Sequence, residues 1–261
     1  MDTDAITTLL KEVAAEAITP RFRALASDQV HEKNPGDLVT IADHEAEVLI
    51  TEALLGAYPS CVVLGEEATS ADPTLLQRYA AAEHAFTVDP VDGTKNFVHG
   101  SPDHAVMVAE LRAGDVVRSW IWQPQHERAY VAERGAGAFC NGRRLATSAA
   151  TDPVRGHTSR RSWVGRELPG HAPLALTWAS CGVDFPQLVE GGADYLLYRA
   201  TKPWDHAPGA LLVTEAGGSI ATLHGAPYDP RHESRDGMVA AGDSPTNDAA
   251  RHGWASELTS S

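Results

Sequence analysis

Ile6, Leu9, Leu10, Val13 and Ala17 recur at helical spacing behind the cap candidates Asp2, Thr3 and Asp4, so the chain is predicted to open with an amphipathic helix that Pro20 kinks or ends. Pro35-Gly36 marks a turn within residues 31–37, and Ala42, Ala46, Leu49, Ile50, Ala53 and Leu54 outline a second helix closed by Gly56 and Pro59. The pattern then changes. Residues 61–64 and 85–88 are short apolar runs that read as buried strands. The first delivers Gly65-Glu66-Glu67 at its end and the second delivers Asp89 and Asp92, with Pro90 expected to terminate it. Residues 105–111, 116–122 and 128–132 read as successive antiparallel strands, and Gly135, Gly137 and Gly142 punctuate the stretch after them.

Residues 149–173 are polar and rich in Arg, Gly and Pro, which reads as a mobile connection between an N-terminal half, 1–148, and a C-terminal half, 149–261. In the second half, strand candidates at 174–178, 195–198, 219–223 and 238–241 are interspersed with helices at 183–189 and 207–216. Ser244-Pro245 is expected to cap a last helix. Such alternation favours an α/β (α+β) protein with helices stacked on sheets.

Composition narrows the function. The 261 residues, 43% hydrophobic, suffice for one large domain or two packed halves. The net charge of −14, from 35 acids and 21 bases, makes nucleic acid polymers and anionic membranes poor partners. An anionic small molecule still binds such a protein if bound cations invert the local field. Cys61, Cys140 and Cys181 are odd in number and form no C-x-x-C pair, which argues against a disulfide framework or structural zinc and for a reduced, cytoplasmic setting. The N-terminus has no secretory pattern, and no apolar run approaches the roughly 20 residues that span a bilayer, so a soluble protein is expected.

The chemistry concentrates in Asp89-Pro90-Val91-Asp92-Gly93-Thr94. Two carboxylates three apart across a proline supply hard oxygen ligands suited to magnesium. Gly93 permits close backbone approach, and Thr94 offers an N–H and a hydroxyl to phosphate oxygens if a helical turn starts there. Alone, such a string is more often an Asp-Pro turn with an aspartate cap, Glu66 and Glu67 are loop charges, and Asp205 is an N-cap.

Together, the order G-E-E, then D-P-V-D-G-T-K-N-F-V-H-G, then W-D-H-A-P-G…E-A-G-G resembles the inositol monophosphatase family of lithium-sensitive, magnesium-dependent phosphatases. Asp37-Leu38-Val39-Thr40 with Asp43 and Glu47, the segment 135–142 and Gly191-Gly192-Ala193-Asp194 extend the match over most of the chain. The resemblance implies an α-β-α-β-α layered sandwich of the inositol monophosphatase and fructose-1,6-bisphosphatase type, with the active site between the halves. It implies that Glu66, Asp89 and the carbonyl of Val91 bind one magnesium and that Asp89, Asp92 and Asp205 bind a second, with two or three ions per site in all. Gly93 and Thr94 would hold phosphate. Thr94, supported by Asp43, and Glu66 would activate a water for in-line attack on a small sugar or polyol phosphate, without a covalent intermediate. A homodimer and inhibition by lithium are further implications.

The substrate pocket, assigned by the resemblance to Asp92, Ser180 and Tyr198, departs from the family pattern. Ala179-Ser180-Cys181-Gly182 stands where a glycine, a serine or threonine and two alanines are usual, and Tyr198 stands where inositol-specific members carry a glutamate. Losing that carboxylate weakens polyol recognition. Tyr198, Arg199 and Lys202 would suit an aromatic or additionally anionic group, as in histidinol phosphate or 3′-phosphoadenosine 5′-phosphate; alternatively Tyr198 packs in the core and the two cations are solvated. His99, His104 and His206 lack partners at metal spacing and are assigned structural or hydrogen-bonding roles. Trp120 and Trp122 share one strand face, for packing or a subunit contact. The D-x-x-D-G-T spacing does not match the D-x-D-G-T of haloacid-dehalogenase phosphatases, which argues against an aspartyl-phosphate mechanism. A non-enzymatic alternative is a relative that only binds phosphorylated ligands.

Overall fold

The structure, a computed structural model, describes residues 1–26, 29–34 and 37–259. The leading amphipathic pattern folds as α1 (Thr3–Val13), capped by the Asp2 carboxylate, which accepts the Ala5 N–H at 2.8 Å. Pro20 does not end α1 directly. The helix widens into a π-turn over Ala14–Ile18 and tightens into a 3₁₀ turn over Thr19–Arg21, where proline's missing N–H costs no helical hydrogen bond. Instead of a simple turn, β1 (Val30–Asn34) and β2 (Asp37–Thr40) form an antiparallel pair; Pro35-Gly36 itself lies outside the described residues. A capping box opens α2 (Ile41–Ala57): the Thr40 hydroxyl accepts the Ala42 N–H at 3.1 Å, and Asp43 accepts the Thr40 N–H at 2.9 Å.

Next, β3 (Val62–Gly65) runs parallel to β4 (His84–Asp92), joined through the short helices α3 (Glu66–Ala71) and α4 (Leu75–Ala80). Contrary to expectation, Pro90 does not terminate β4. Pairing with β5 (Ala105–Arg112) resumes at Asp92 after an irregularity between Asp89 and Asp92. Proline is tolerated where the ladder is already interrupted, and such a bulge re-aims the side chains on either side of it. After β4 comes α5 (Thr94–Val98), and the meander continues through β6 (Asp115–Gln123), β7 (Arg128–Glu133), β8 (Gly137–Cys140) and β9 (Arg143–Arg144). The seven strands lie in chain order, β3 to β9.

The polar stretch 149–173 is not a free connection. It contributes β10 (Gly156–Thr158), which lies between β11 (Ala175–Leu176) and β12 (Tyr195–Tyr198) in a sheet of order β11-β10-β12-β14-β13. Three residues are too few to display a strand period, and Arg155 secures the stretch by pairing its Nη2 with Asp194 Oδ1 at 3.0 Å. The remaining elements are α6 (Cys181–Val189), α7 (Pro203–Glu215), β13 (Ser219–Thr222), β14 (Met238–Ala241) and α8 (Ser244–Thr259). Asp243 provides the cap of α8 in place of Ser244, its carboxylate accepting the Thr246 N–H at 2.7 Å.

Alternation along the strands assigns the layers. In β5, Val106 and Val108 pack with Ile6, Leu10, Ala46 and Ile50 of α1 and α2, whereas Ala105, Met107 and Ala109 join Phe185, Leu188 and Leu211 of α6 and α7. In β14, Met238 and Ala240 join that same α6–α7 cluster, and Val239 and Ala241 pack with Ala250 and Trp254 of α8. The order is α1/α2, seven-stranded sheet, α6/α7, five-stranded sheet, α8, which is the expected α-β-α-β-α sandwich. Because sheets cover it on two sides, α7 is buried almost throughout. Trp120 is core, its Nε1 donating to the Thr3 carbonyl at 3.0 Å, and half-buried Trp122 carries Lys11 Nζ 5.0 Å from its ring centroid. Among the described residues no helix is long and apolar enough to cross a membrane.

Candidate active site

Glu66 opens α3 directly after β3, Asp89 and Asp92 flank the bulge at the end of β4, and Asp205 lies in the first turn of α7. The parallel register that pairs Gly65 with Val88 brings Glu66 out beside Asp89. These acids act on one another. Burial, then the charges of Glu66, Asp92, Asp205 and Asp43, push Asp89 well above the usual carboxylate range. Burial also raises Asp92 and Asp205, with Glu66 among the charges adding to it in both. Asp89, 2% exposed, has an Oδ1 with no hydrogen-bond partner in the protein.

A buried, orphaned carboxylate oxygen among mutually repelling acids fits a cation. Glu66, Asp89, Asp92, Asp205 and the Val91 carbonyl are all oxygen donors, the chemistry of magnesium. Asp92 is also tied to the facing layer. It accepts the Ser180 hydroxyl and the N–H groups of Cys181 (3.1 Å) and Gly182 (2.7 Å), so the start of α6 is fastened to the end of β4. A Cβ on Gly93, whose φ is +82°, would come within 2.9 Å of Ser180 Cβ and 3.0 Å of the Asp103 carbonyl oxygen; only glycine fits the entry to α5.

At the start of α5, the Thr94 hydroxyl lies 3.2 Å from Asp43 Oδ1 and 3.0 Å from the Val91 carbonyl. One proton thus has two acceptors, and the oxygen's lone pairs remain open to a donor. Glu47, matched in sequence without an assigned role, accepts the N–H groups of Glu67 (2.7 Å) and Ala68 (2.8 Å) and so orients the turn that carries Glu66.

Burial raises both Asp43 and Glu47 to about 7, against the lowering effect of their hydrogen bonds from Thr40 and from the Glu67 and Ala68 amides respectively. An acid with a raised folded-state pKa favours the folded state least when ionised. Stability is therefore retained below the unfolded-state values near 4 and lost as pH rises to about 7. In chelator, the melting temperature is expected to fall by on the order of 10 °C between pH 5 and pH 8. Calorimetry of wild type and Asp43→Asn checks this, the variant showing the smaller fall.

The pocket side of the site differs from expectation. Tyr198 does not line an open mouth: it is buried, and its hydroxyl donates to Asp184 Oδ2 at 2.9 Å. Asp184, which the sequence reading missed, also accepts the Trp178 N–H at 2.8 Å, and burial raises it to about 8. An acid inside an otherwise apolar helical run was its only signal. Lys202 lies over Trp204, 5.2 Å from the ring centroid, and Arg199 is exposed. Trp178 stacks on His157 with centroids 4.7 Å apart and planes 5° apart, and its carbonyl accepts Asn96 Nδ2 of α5 at 2.8 Å.

Ala179 has φ +60°, at the position where the family pattern places glycine. The left-handed conformation costs a residue with a Cβ about 1–2 kcal/mol, and glycine's added unfolded-state freedom offsets about 0.4–1 of that. Ala179→Gly is thus expected to stabilise by about 0.5–1 kcal/mol, measured by urea unfolding.

Of the histidines, His99 Nδ1 lies 2.6 Å from the Lys95 carbonyl and His104 Nδ1 lies 3.2 Å from that of Ser101. For His206 the expectation of no metal-spaced partner needs correction, because the fold brings Cys181, Asp205 and His206 together with ligand atoms within 4.8 Å of one another. Cys181 is too far along the chain for any spacing rule to find.

The profile of the inositol monophosphatase family matches residues 2–258. An inositol-1-monophosphatase of Rhizobium meliloti is 35% identical over 228 residues, covering 80% of this chain and 84% of that one. The Nus factor SuhB of Pseudomonas aeruginosa is 31% identical, covering 81% and 82%. The crystal structure of the extragenic suppressor protein suhB from Bartonella henselae is 27% identical, with a TM-score of 0.77 over 96% of both chains.

Proposed function

Since the chain belongs to the inositol monophosphatase family, we propose that it is a magnesium-dependent phosphomonoester hydrolase acting on a small sugar or polyol phosphate. The observation that carries this reading is the orphaned Asp89 Oδ1 amid Glu66, Asp92 and Asp205, beside a Thr94 hydroxyl backed by Asp43. Glu66, Asp89, Asp92, Asp205 and the Val91 carbonyl would hold magnesium. When bound, the metal supplies positive charge that clamps the phosphate, acidifies the attacking water and neutralises the leaving oxygen.

The residues supply the rest. Gly93 lets the phosphate approach the backbone, and Thr94 offers its N–H to a phosphate oxygen. The Thr94 hydroxyl donates to Asp43 and so presents a lone pair to a water. With Glu66 as the proton acceptor, the water's oxygen bonds to phosphorus as the ester P–O bond breaks, giving inorganic phosphate and an alcohol that takes up the proton. Ser180 and the α6 amides hold Asp92 in register.

The stacked Trp178–His157 pair, held beside α5 through Asn96, favours a second reading of the substrate. An aromatic leaving group, as in histidinol phosphate or 3′-phosphoadenosine 5′-phosphate, would find a flat apolar face there. Some relatives are named Nus factor SuhB, but the −14 charge does not favour direct contact with a polyanion. The test is a phosphomonoester panel with magnesium, spanning inositol, sugar, histidinol and nucleotide phosphates. One substrate turned over at least about ten-fold better than the rest, and inhibited by lithium, is expected. No hydrolysis across the panel, with a variant such as Asp92→Asn indistinguishable from wild type, contradicts the reading.

A further inference from the structure

We propose that Cys181, Asp205 and His206 form a binding site for a borderline-soft divalent metal, zinc above all, that shares Asp205 with the magnesium set and so competes with it.

Three observations support it. The ligand atoms of the three residues lie within 4.8 Å of one another. Bonds of about 2.3 Å to sulfur and 2.0–2.2 Å to nitrogen or oxygen place tetrahedral ligands roughly 3.5 Å apart, so the widest pair needs to close by only about an ångström. His206 has 3% exposure and its Nε2 has no partner, an expensive arrangement for a buried polar atom. Its Nδ1 lies 3.2 Å from the Lys202 carbonyl, and donation to that oxygen leaves Nε2 as a bare lone pair. This is the arrangement metal-ligating histidines adopt, with the second nitrogen anchored to a carbonyl that sets tautomer and ring orientation. The same nitrogen is equally far from the Lys202 N–H, so metal binding would select one of two tautomers.

The donor set separates this site from its neighbour. A thiolate and an imidazole select zinc, cobalt and copper over magnesium, whereas the remaining ligands of the magnesium set are all oxygen. Cys181 stands where the family pattern has alanine, so the site belongs to this chain's own departure from that pattern. Binding releases the thiol proton to solvent, and three protein ligands leave a fourth position for water. Drawing Asp205 toward sulfur and imidazole removes it from the carboxylates around Asp89. Zinc is therefore an inhibitor here.

Metal binding itself does not depend on the proposed phosphatase activity; only the inhibition rests on that reading. The test uses the untagged full chain, titrated with zinc against a chromophoric chelator and with cobalt under visible and near-ultraviolet absorption. One zinc per chain is expected. Cys181→Ser and His206→Gln are each expected to weaken it at least ten-fold, with unfolding curves confirming that both variants fold. Cobalt should give a thiolate charge-transfer band that Cys181→Ser abolishes; with Cys61 and Cys140 buried elsewhere in the fold, that loss assigns the sulfur. A zinc affinity unchanged in Cys181→Ser, or a cobalt complex without that band, overturns the site. Sulfur-bound cobalt in a protein that hydrolyses no phosphate would uphold the site and contradict the proposed function.

Discussion

Asp89→Asn is expected to lower magnesium-dependent phosphate release by on the order of 10³-fold or more, while raising the melting temperature of the metal-free protein. The two effects have one cause. Asp89 is buried, has an oxygen without a partner, and is pushed up by four neighbouring acids. The amide keeps the shape and removes the charge, so folding no longer forces that carboxyl against Glu66, Asp92 and Asp205. A cation loses a ligand at the centre of the set, and removing one preorganised electrostatic contact already costs about 10²–10³-fold in rate. Steady-state kinetics with a magnesium titration reads the first effect and calorimetry in chelator the second. Loss of activity with lower stability would mean that Asp89 is merely structural.

The second large effect is at Thr94. Thr94→Val keeps the branched shape and deletes the hydroxyl that lies 3.2 Å from Asp43 and 3.0 Å from the Val91 carbonyl. Positioned proton transfer contributes about 10²–10⁴-fold, so kcat is expected to fall within that range with KM changed by far less. Thr94→Ser restores the hydroxyl and should recover most of the loss. Asp43→Asn should also lower kcat, because the Thr40 N–H claims the one amide oxygen and the amide NH2 then faces the Thr94 hydroxyl. A rise in KM at constant kcat would assign Thr94 to phosphate binding alone.

Much of this architecture was legible in the sequence, and the gaps have physical reasons. Runs such as 105–109 and 195–198 stand out because strands covered on both faces are continuously apolar. The Asp89–Thr94 string, a capped turn on its own, points to metal chemistry only in order with Gly65-Glu66-Glu67 and Trp204-Asp205. By contrast, β10 is three residues long, too short for periodicity, and its flanks are polar, so the stretch resembles a linker. Pro90 misled because a proline at a bulge removes no ladder bond. Tyr198 looked like a pocket residue because it replaces a glutamate, but Asp184 captures its hydroxyl from an adjacent helix. Neither that pair nor the meeting of Cys181 with His206 has a local signature, since both depend on how α6 packs against its neighbours.

A magnesium-dependent hydrolase centred on Asp89 is tested most directly by one measurement: the rate of phosphate release from the best panel substrate as free magnesium is buffered from zero upward, for wild type and Asp89→Asn together. Wild type is predicted to be inactive in chelator and to rise to saturation with magnesium, while Asp89→Asn stays near baseline throughout. Equal turnover with and without magnesium, or an Asp89→Asn curve that overlays wild type, would contradict it.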